Sequence, residues 1–291
     1  MYTIVADSTV DLPADLADEL GLVIIPFIFT IDGKDYEYHL DGRDMAVNDF
    51  YAALRAGKTS TTTQHTVMRY IEYWEPILKA GKDVLYLSQS AALSKSYDQS
   101  IFAREELLKD YPNRKIISLD TKSASLGQGV LAYYACKAQK AGKSMDEVVD
   151  YINSIIPNFQ HLIMADDLYH LRRGGRVSGA AAFVGTMLNV KPILTLVDDG
   201  RLVPVQKVRG RHRAIKSFVT QMVVQNIDVK NQIIVIGHSD SHDAALELKD
   251  TIISKFGNCE FIINYIGPVI GSHTGPGTMA VAFIGGPRQK V

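Results

Sequence analysis

Short apolar runs of strand length alternate with longer stretches of helical period through the first half of this chain, and that order constrains the fold more than any other feature. Residues 3–6 form such a run, which stops at Asp7-Ser8-Thr9. Asp11 and Pro13 then suit the first turn of a helix ending near Leu20. Residues 23–31 read as one buried strand, and helices are predicted over 44–56 and 66–79, closed by Gly57 and Gly81. A strand over 84–88, a helix over 97–108, a strand over 116–119 and a helix over 126–139 follow. Ser144 and Glu147 make a capping box before an amphipathic helix that reaches Ile156. Such alternation predicts a mostly parallel sheet with helices on its faces.

Beyond Pro157 the pattern changes. Residues 193–197 and 202–208 read as strands joined by Asp198-Asp199-Gly200, a hairpin turn and hence an antiparallel pair. A helix with Ala214, Ile215, Phe218, Val219, Met222 and Val223 on one face comes next. A strand over 233–237, a helix over 243–253 and strands over 261–266 and 279–284 complete the order. At roughly 150 residues per domain, 291 residues give about two. The expected class is α/β with two α/β domains, residues 1–157 around a mostly parallel sheet and 158–291 around a mixed one.

Composition removes several function classes. Lys+Arg number 31 against Asp+Glu 32, so no global field is available to hold nucleic acid or an anionic bilayer. Residues 22–31, the most apolar run, are too few to span a membrane and include Pro26. Cys136 and Cys259 stand far apart without a Cys or His at ligand spacing, which argues against a disulfide scaffold or a zinc site. A cytoplasmic protein without metal or cofactor is expected.

Three groups of residues could carry chemistry. Hydroxyl-rich segments recur at Asp7-Ser8-Thr9, residues 59–64, residues 88–96 and residues 120–123; at the strand ends of an open α/β sheet they would converge on an anion such as a carboxylate or phosphate. Residues 267–277 hold four glycines and two prolines around His273, and predict an irregular loop that presents the histidine by backbone. Arg172, Arg173 and Arg176, with Arg209 further on, form local basic clusters that suit docking or phosphate contact.

Taken together these segments resemble the DegV family, which includes the fatty-acid-binding subunits of bacterial fatty acid kinase. Asp7-Ser8-Thr9-Val10-Asp11-Leu12-Pro13 is similar to its opening D-S-T-x-D-L/V-P, and Thr62-Thr63-Gln64-His65-Thr66 to its T-S-Q-P-S. Leu93-Ser94-Lys95-Ser96-Tyr97 matches L-S-G-T-Y, and Asp120-Thr121 falls on a strand-end D-T. Residues 171–178 fit L-x-x-G-G-R-[IV]-S, and Gly271-Ser272-His273-Thr274-Gly275-Pro276-Gly277 fits G-A-H-T-G-P-G. The resemblance implies two α/β domains with a long acyl chain buried between them. It places the carboxylate on Thr62, Ser94 and His273, with Thr63 as a supplement because the repeated threonines blur the register. It also implies a protein that does no chemistry alone, a separate ATP-dependent kinase that phosphorylates the acid for phospholipid synthesis, and a docking face at Arg172, Arg173, Arg176 and Arg209. Lys95 stands where the family has glycine, predicting a strained or remodelled turn, and His65 replaces proline, predicting a looser segment.

Two other readings use the same residues. One is a Ser–His hydrolase with Ser94 as nucleophile, His273 as base and Asp120 as orienter, although G-x-S-x-G is missing. The other is a DegV-type binder of a different amphiphile.

Overall fold

The computed structural model describes residues 1–166, 168–178, 189–225 and 227–290. The first half runs β1 (Tyr2–Asp7), α1 (Ala14–Leu20), β2 (Val23–Ile25), β3 (Phe27–Ile31), β4 (Lys34–Tyr38), α2 (Val47–Arg55) and β5 (Ser60–Thr63). It continues with α3 (Val67–Lys79), β6 (Asp83–Ser88), α4 (Ser96–Asp110), β7 (Ile116–Asp120), α5 (Leu126–Lys140) and α6 (Met145–Ile155). The second half runs β8 (Phe159–Met164), α7 (Leu168–Gly174), β9 (Val190–Leu196), β10 (Leu202–Arg209) and α8 (Arg211–Val224). After these come β11 (Ile233–His238), α9 (His242–Phe256), β12 (Glu260–Tyr265), α10 (Pro268–Thr274) and β13 (Met279–Ile284). The turn over Ile156–Asn158 leads directly into β8, the first strand of the second large sheet.

Among the described residues the strands form three sheets. One is parallel throughout, in the order β2-β1-β6-β7. The second is mixed, in the order β10-β9-β8-β13-β11-β12, with the β9–β10 hairpin antiparallel as its Asp-Asp-Gly turn predicts. The third, β4-β3-β5, is antiparallel.

That third sheet corrects the reading of residues 23–31 as one strand. Pro26 has no N–H to give a ladder, so the run divides there. Residues before it join the parallel sheet and those after it begin the small one. Asp32 and Gly33, both with positive φ, then close a two-residue hairpin into β4. Within residues 59–64, Ser60–Thr63 is likewise a strand where a loop is expected. β-branched threonines suit an edge, and Ser60–Thr63 pairs with β3.

Helices separate and flank the large sheets. α5 and α6 lie between them, and one apolar cluster joins Ile4, Leu85 and Leu87 of the parallel sheet to Val130, Val148, Val235 and Ala282. α3 and α4 cover the other face of the parallel sheet around Trp74 and Tyr86. α8 and α9 cover the outer face of the mixed sheet around Phe218 and Leu248. The small sheet carries its own cluster with Phe27, Phe29 and Phe50, and Val269 of α10 enters it.

Candidate functional site

Thr62 reaches the site by strand geometry. β5 pairs with β3 in the register Phe29 to Thr62 and Ile31 to Ser60. Alternation puts Ser60 and Thr62 on one face of β5 and Thr61 and Thr63 on the other. The Ser60–Thr62 face meets α10: Ser60 Oγ lies 2.7 Å from Ser272 Oγ, and Thr62 Oγ1 lies 2.8 Å from His273 Nε2. The irregular loop expected around His273 is thus a helix over Pro268–Thr274. Proline at its first position costs no hydrogen bond, and Gly275 ends it at φ +79°.

His273 is held from its other side by α7. Its Nδ1 lies 3.1 Å from the Gly174 carbonyl, which also accepts from Arg176 Nη1 at 3.0 Å. Gly174 is where the two helices touch: a Cβ there would stand 2.5 Å from the His273 carbonyl oxygen. His170 Nε2 donates to the Ser272 carbonyl at 2.8 Å, and Arg173 Nη2 lies 2.9 Å from His170 Nδ1. Burial, and secondarily the Arg176 charge, push the His273 imidazole down to about 4.

Ser94 lies between β6 and α4. Its hydroxyl oxygen accepts from the Ser96 N–H at 3.2 Å, and its proton goes to Ser96 Oγ at 3.1 Å. Lys95 adopts φ −76°, an ordinary value for any residue, so the strained turn expected there does not occur. Its ammonium pairs with Asp98 at 3.3 Å. His65 tightens its segment where a looser one is expected. It is buried with its ring centroid 3.9 Å from that of Phe27, and burial pushes its imidazole down to about 3.

A cavity of about 640 Å³, well within the usual range for small-molecule sites, is lined by Thr62, Thr63, Gln64, Ser94, Lys95, Arg176 and His273. The rest of its wall is largely apolar. Ile163, Leu196, Gly237, Ala280 and Ala282 line it from the mixed sheet, with Leu126 and Ile266 among the other apolar residues around it. From Thr278 to Ala282 the wall extends on the order of 13 Å at ~3.3 Å per residue. Small side chains leave the space: Gly237, Ala280 and Ala282 lie on the adjacent strands β11 and β13. The arrangement offers hydroxyl and imidazole groups to an anionic head and an apolar trough to a tail.

Other predicted residues lie elsewhere. Asp7, Ser8 and Thr9 are buried and turned inward. Asp7 accepts from the Thr9 N–H and the Tyr86 hydroxyl, and Ser8 Oγ from the Phe27 N–H. Asp120 Oδ1 accepts from the main-chain N–H groups of Ala91 and Lys122. The hydrolase triad is therefore not assembled, since Ser94 is bonded to Ser96 and His273 to Thr62 and Gly174. Arg172, Arg173 and Arg209 are exposed and outside the cavity lining, whereas Arg176 is within it. Among the described residues no group of three His, Cys, Asp or Glu could hold a metal ion, and no helix is long and apolar enough to cross a membrane.

The architecture has counterparts. A model for the DegV family of uncharacterised proteins matches residues 1–286. A DegV domain-containing protein of Clostridium perfringens is 38% identical over 288 residues, which cover 99% of each chain. Among solved structures, a DegV family protein of Thermus thermophilus described for its fatty acid binding superposes with a TM-score of 0.88 at 29% identity, over 97% of this chain and 99% of that one. DegV of Bacillus subtilis, a fatty acid binding protein, gives 0.85 at 25% identity over 98% and 99% of the two chains.

Proposed function

Because the chain belongs to the DegV family, we propose that it binds a long-chain fatty acid, with the carboxylate at Thr62, Ser94 and His273 and the tail in the apolar trough. One observation carries this reading: Thr62 and His273, from distant parts of the chain, meet at 2.8 Å on the wall of a cavity that is otherwise mainly apolar. Each buried methylene contributes ~0.8 kcal/mol, so a chain of about sixteen carbons offers on the order of 10 kcal/mol before binding costs. The hydroxyls and imidazole then orient the head more than they add affinity. Ser94 is suited to this, because its oxygen is already engaged by the Ser96 N–H and its proton can turn from Ser96 Oγ to a ligand.

The protein acts by presenting the acid. Residues 1–157 and 158–291 serve as two units with the acyl chain held between them. A separate ATP-dependent fatty acid kinase converts the presented carboxylate into an acyl phosphate for phospholipid synthesis, docking on the exposed Arg172, Arg173 and Arg209. Native mass spectrometry of freshly purified protein, followed by extraction, tests the first step: one bound species at the mass of a long-chain fatty acid is expected. Thr62→Val, Ser94→Ala and His273→Ala should each keep the fold and lower retention or phosphorylation. A clean unliganded mass that persists after incubation with a panel of fatty acids overturns the reading.

A further inference from the structure

A main-chain carbonyl can only accept a hydrogen bond. Gly174 O stands 3.1 Å from His273 Nδ1, so Nδ1 carries a proton and, in the neutral ring, Nε2 carries none. Nε2 in turn stands 2.8 Å from Thr62 Oγ1, so the threonine gives its only proton to the ring. The remaining lone pairs of that hydroxyl repel a carboxylate, which also only accepts. Exchanging the tautomer does not help, because an unprotonated Nδ1 would set its lone pair against the Gly174 carbonyl.

An acid can enter in two ways. In one, Nε2 gains a proton and donates it to Thr62 Oγ1, freeing the hydroxyl to donate to the carboxylate. In the other, the ligand keeps its own proton and donates it to Thr62 Oγ1 while the ring stays neutral. Both hold one proton more than a carboxylate beside a neutral imidazole.

The surroundings keep the ring of the empty site neutral. From α7 and just beyond it, His170 and the Arg176 guanidinium face His273, and both disfavour a charge on the ring. His170 accepts from Arg173 and donates to the Ser272 carbonyl. β5 contributes the uncharged Thr62. Burial holds the ring of the empty site at about 4. Among the described residues no carboxylate of the protein acts on His273, so the ligand itself supplies the negative charge that a protonated ring would need.

We propose that the site takes up one proton with each fatty acid, so that the ligand's carboxyl group, Thr62 and His273 form a unit with no net charge. This rests on the fatty-acid reading above. Calorimetric titration of the lipid-free protein with decanoic acid at pH 7.5, in two buffers of different ionisation enthalpy, counts the protons. One proton absorbed per acid is expected, with Kd weakening about tenfold from pH 7 to pH 8. In His273→Gln a side-chain amide N–H can donate to Thr62 without any added proton. Uptake there should fall to near zero and the pH dependence should flatten. Binding without proton uptake in the wild-type protein overturns this inference alone, as does undiminished uptake in His273→Gln. Failure of decanoic acid and of longer acids to bind at all overturns the fatty-acid reading instead.

Discussion

At the scale of one residue, Gly174 fixes the head-group site by letting α7 approach the main chain of α10. Gly174→Ala places a methyl 2.5 Å from the His273 carbonyl and 2.8 Å from its Cα, both main-chain atoms with little freedom to yield. The expected cost is about 1–3 kcal/mol by overpacking, with lipid retention falling alongside. Gly175→Ala is the control. Its φ of +67° strains a side chain, yet the nearest atom to an added Cβ is the Arg173 carbonyl oxygen at 3.9 Å, so retention should hold. Denaturant melts and native mass spectra of the two variants separate these effects. His65 yields a pH prediction. Its ring is pushed down to about 3 in the fold, against ~6.5 for an unfolded histidine, so across that window the unfolded chain binds the extra proton. Its contribution is complete above pH 6.5 and is lost as pH falls towards 3, by up to about 1.4 kcal/mol per pH unit. His65→Phe should flatten the slope of stability against pH by that amount in denaturation series from pH 4 to pH 6.5.

Among the elements, those with strong internal signals were legible. Ser144 and Glu147 form the capping box that their spacing predicts, with Ser144 Oγ accepting from the Glu147 N–H at 3.3 Å. Ser144→Ala should cost about 1 kcal/mol in a denaturant melt and leave bound lipid unchanged, because α6 contributes nothing to the cavity lining. α10 was hidden by its own glycines. Its ends carry a readable signature all the same: Gly267 at the N-cap, Pro268 inside the first turn and Gly275 just past the last. β5 was obscured because serine and threonine serve equally as loop and edge-strand residues. What makes it a strand is β3 beside it, which appears only once Pro26 is taken as a boundary. The trough left no local trace, since Gly237, Ala280 and Ala282 gain meaning only from the pairing of β11 with β13.

On the scale of the whole molecule, the trough should set chain length. Ala282→Leu fills its wall on β13, and the acids extracted from the purified variant should shift to shorter chains, each lost methylene lowering affinity about fourfold for ~0.8 kcal/mol. An unchanged acid profile by mass spectrometry would show that the tail does not reach Ala282. The alternation of strands and helices foretold the parallel and mixed sheets, but not how α5 and α6 fuse them through one core. That fusion and the small sheet depend on contacts between remote segments. Tyr51 donates to the Ile266 carbonyl at 2.6 Å, Arg55 pairs with Asp240 at 2.8 Å, and Thr62 meets His273 across 211 positions. Synthesis on the ribosome runs from the first residue onward, so Thr62 is made long before its partner exists. A nascent chain that has not yet reached residue 273 has no complete place for an acid, and loading must wait until the histidine emerges.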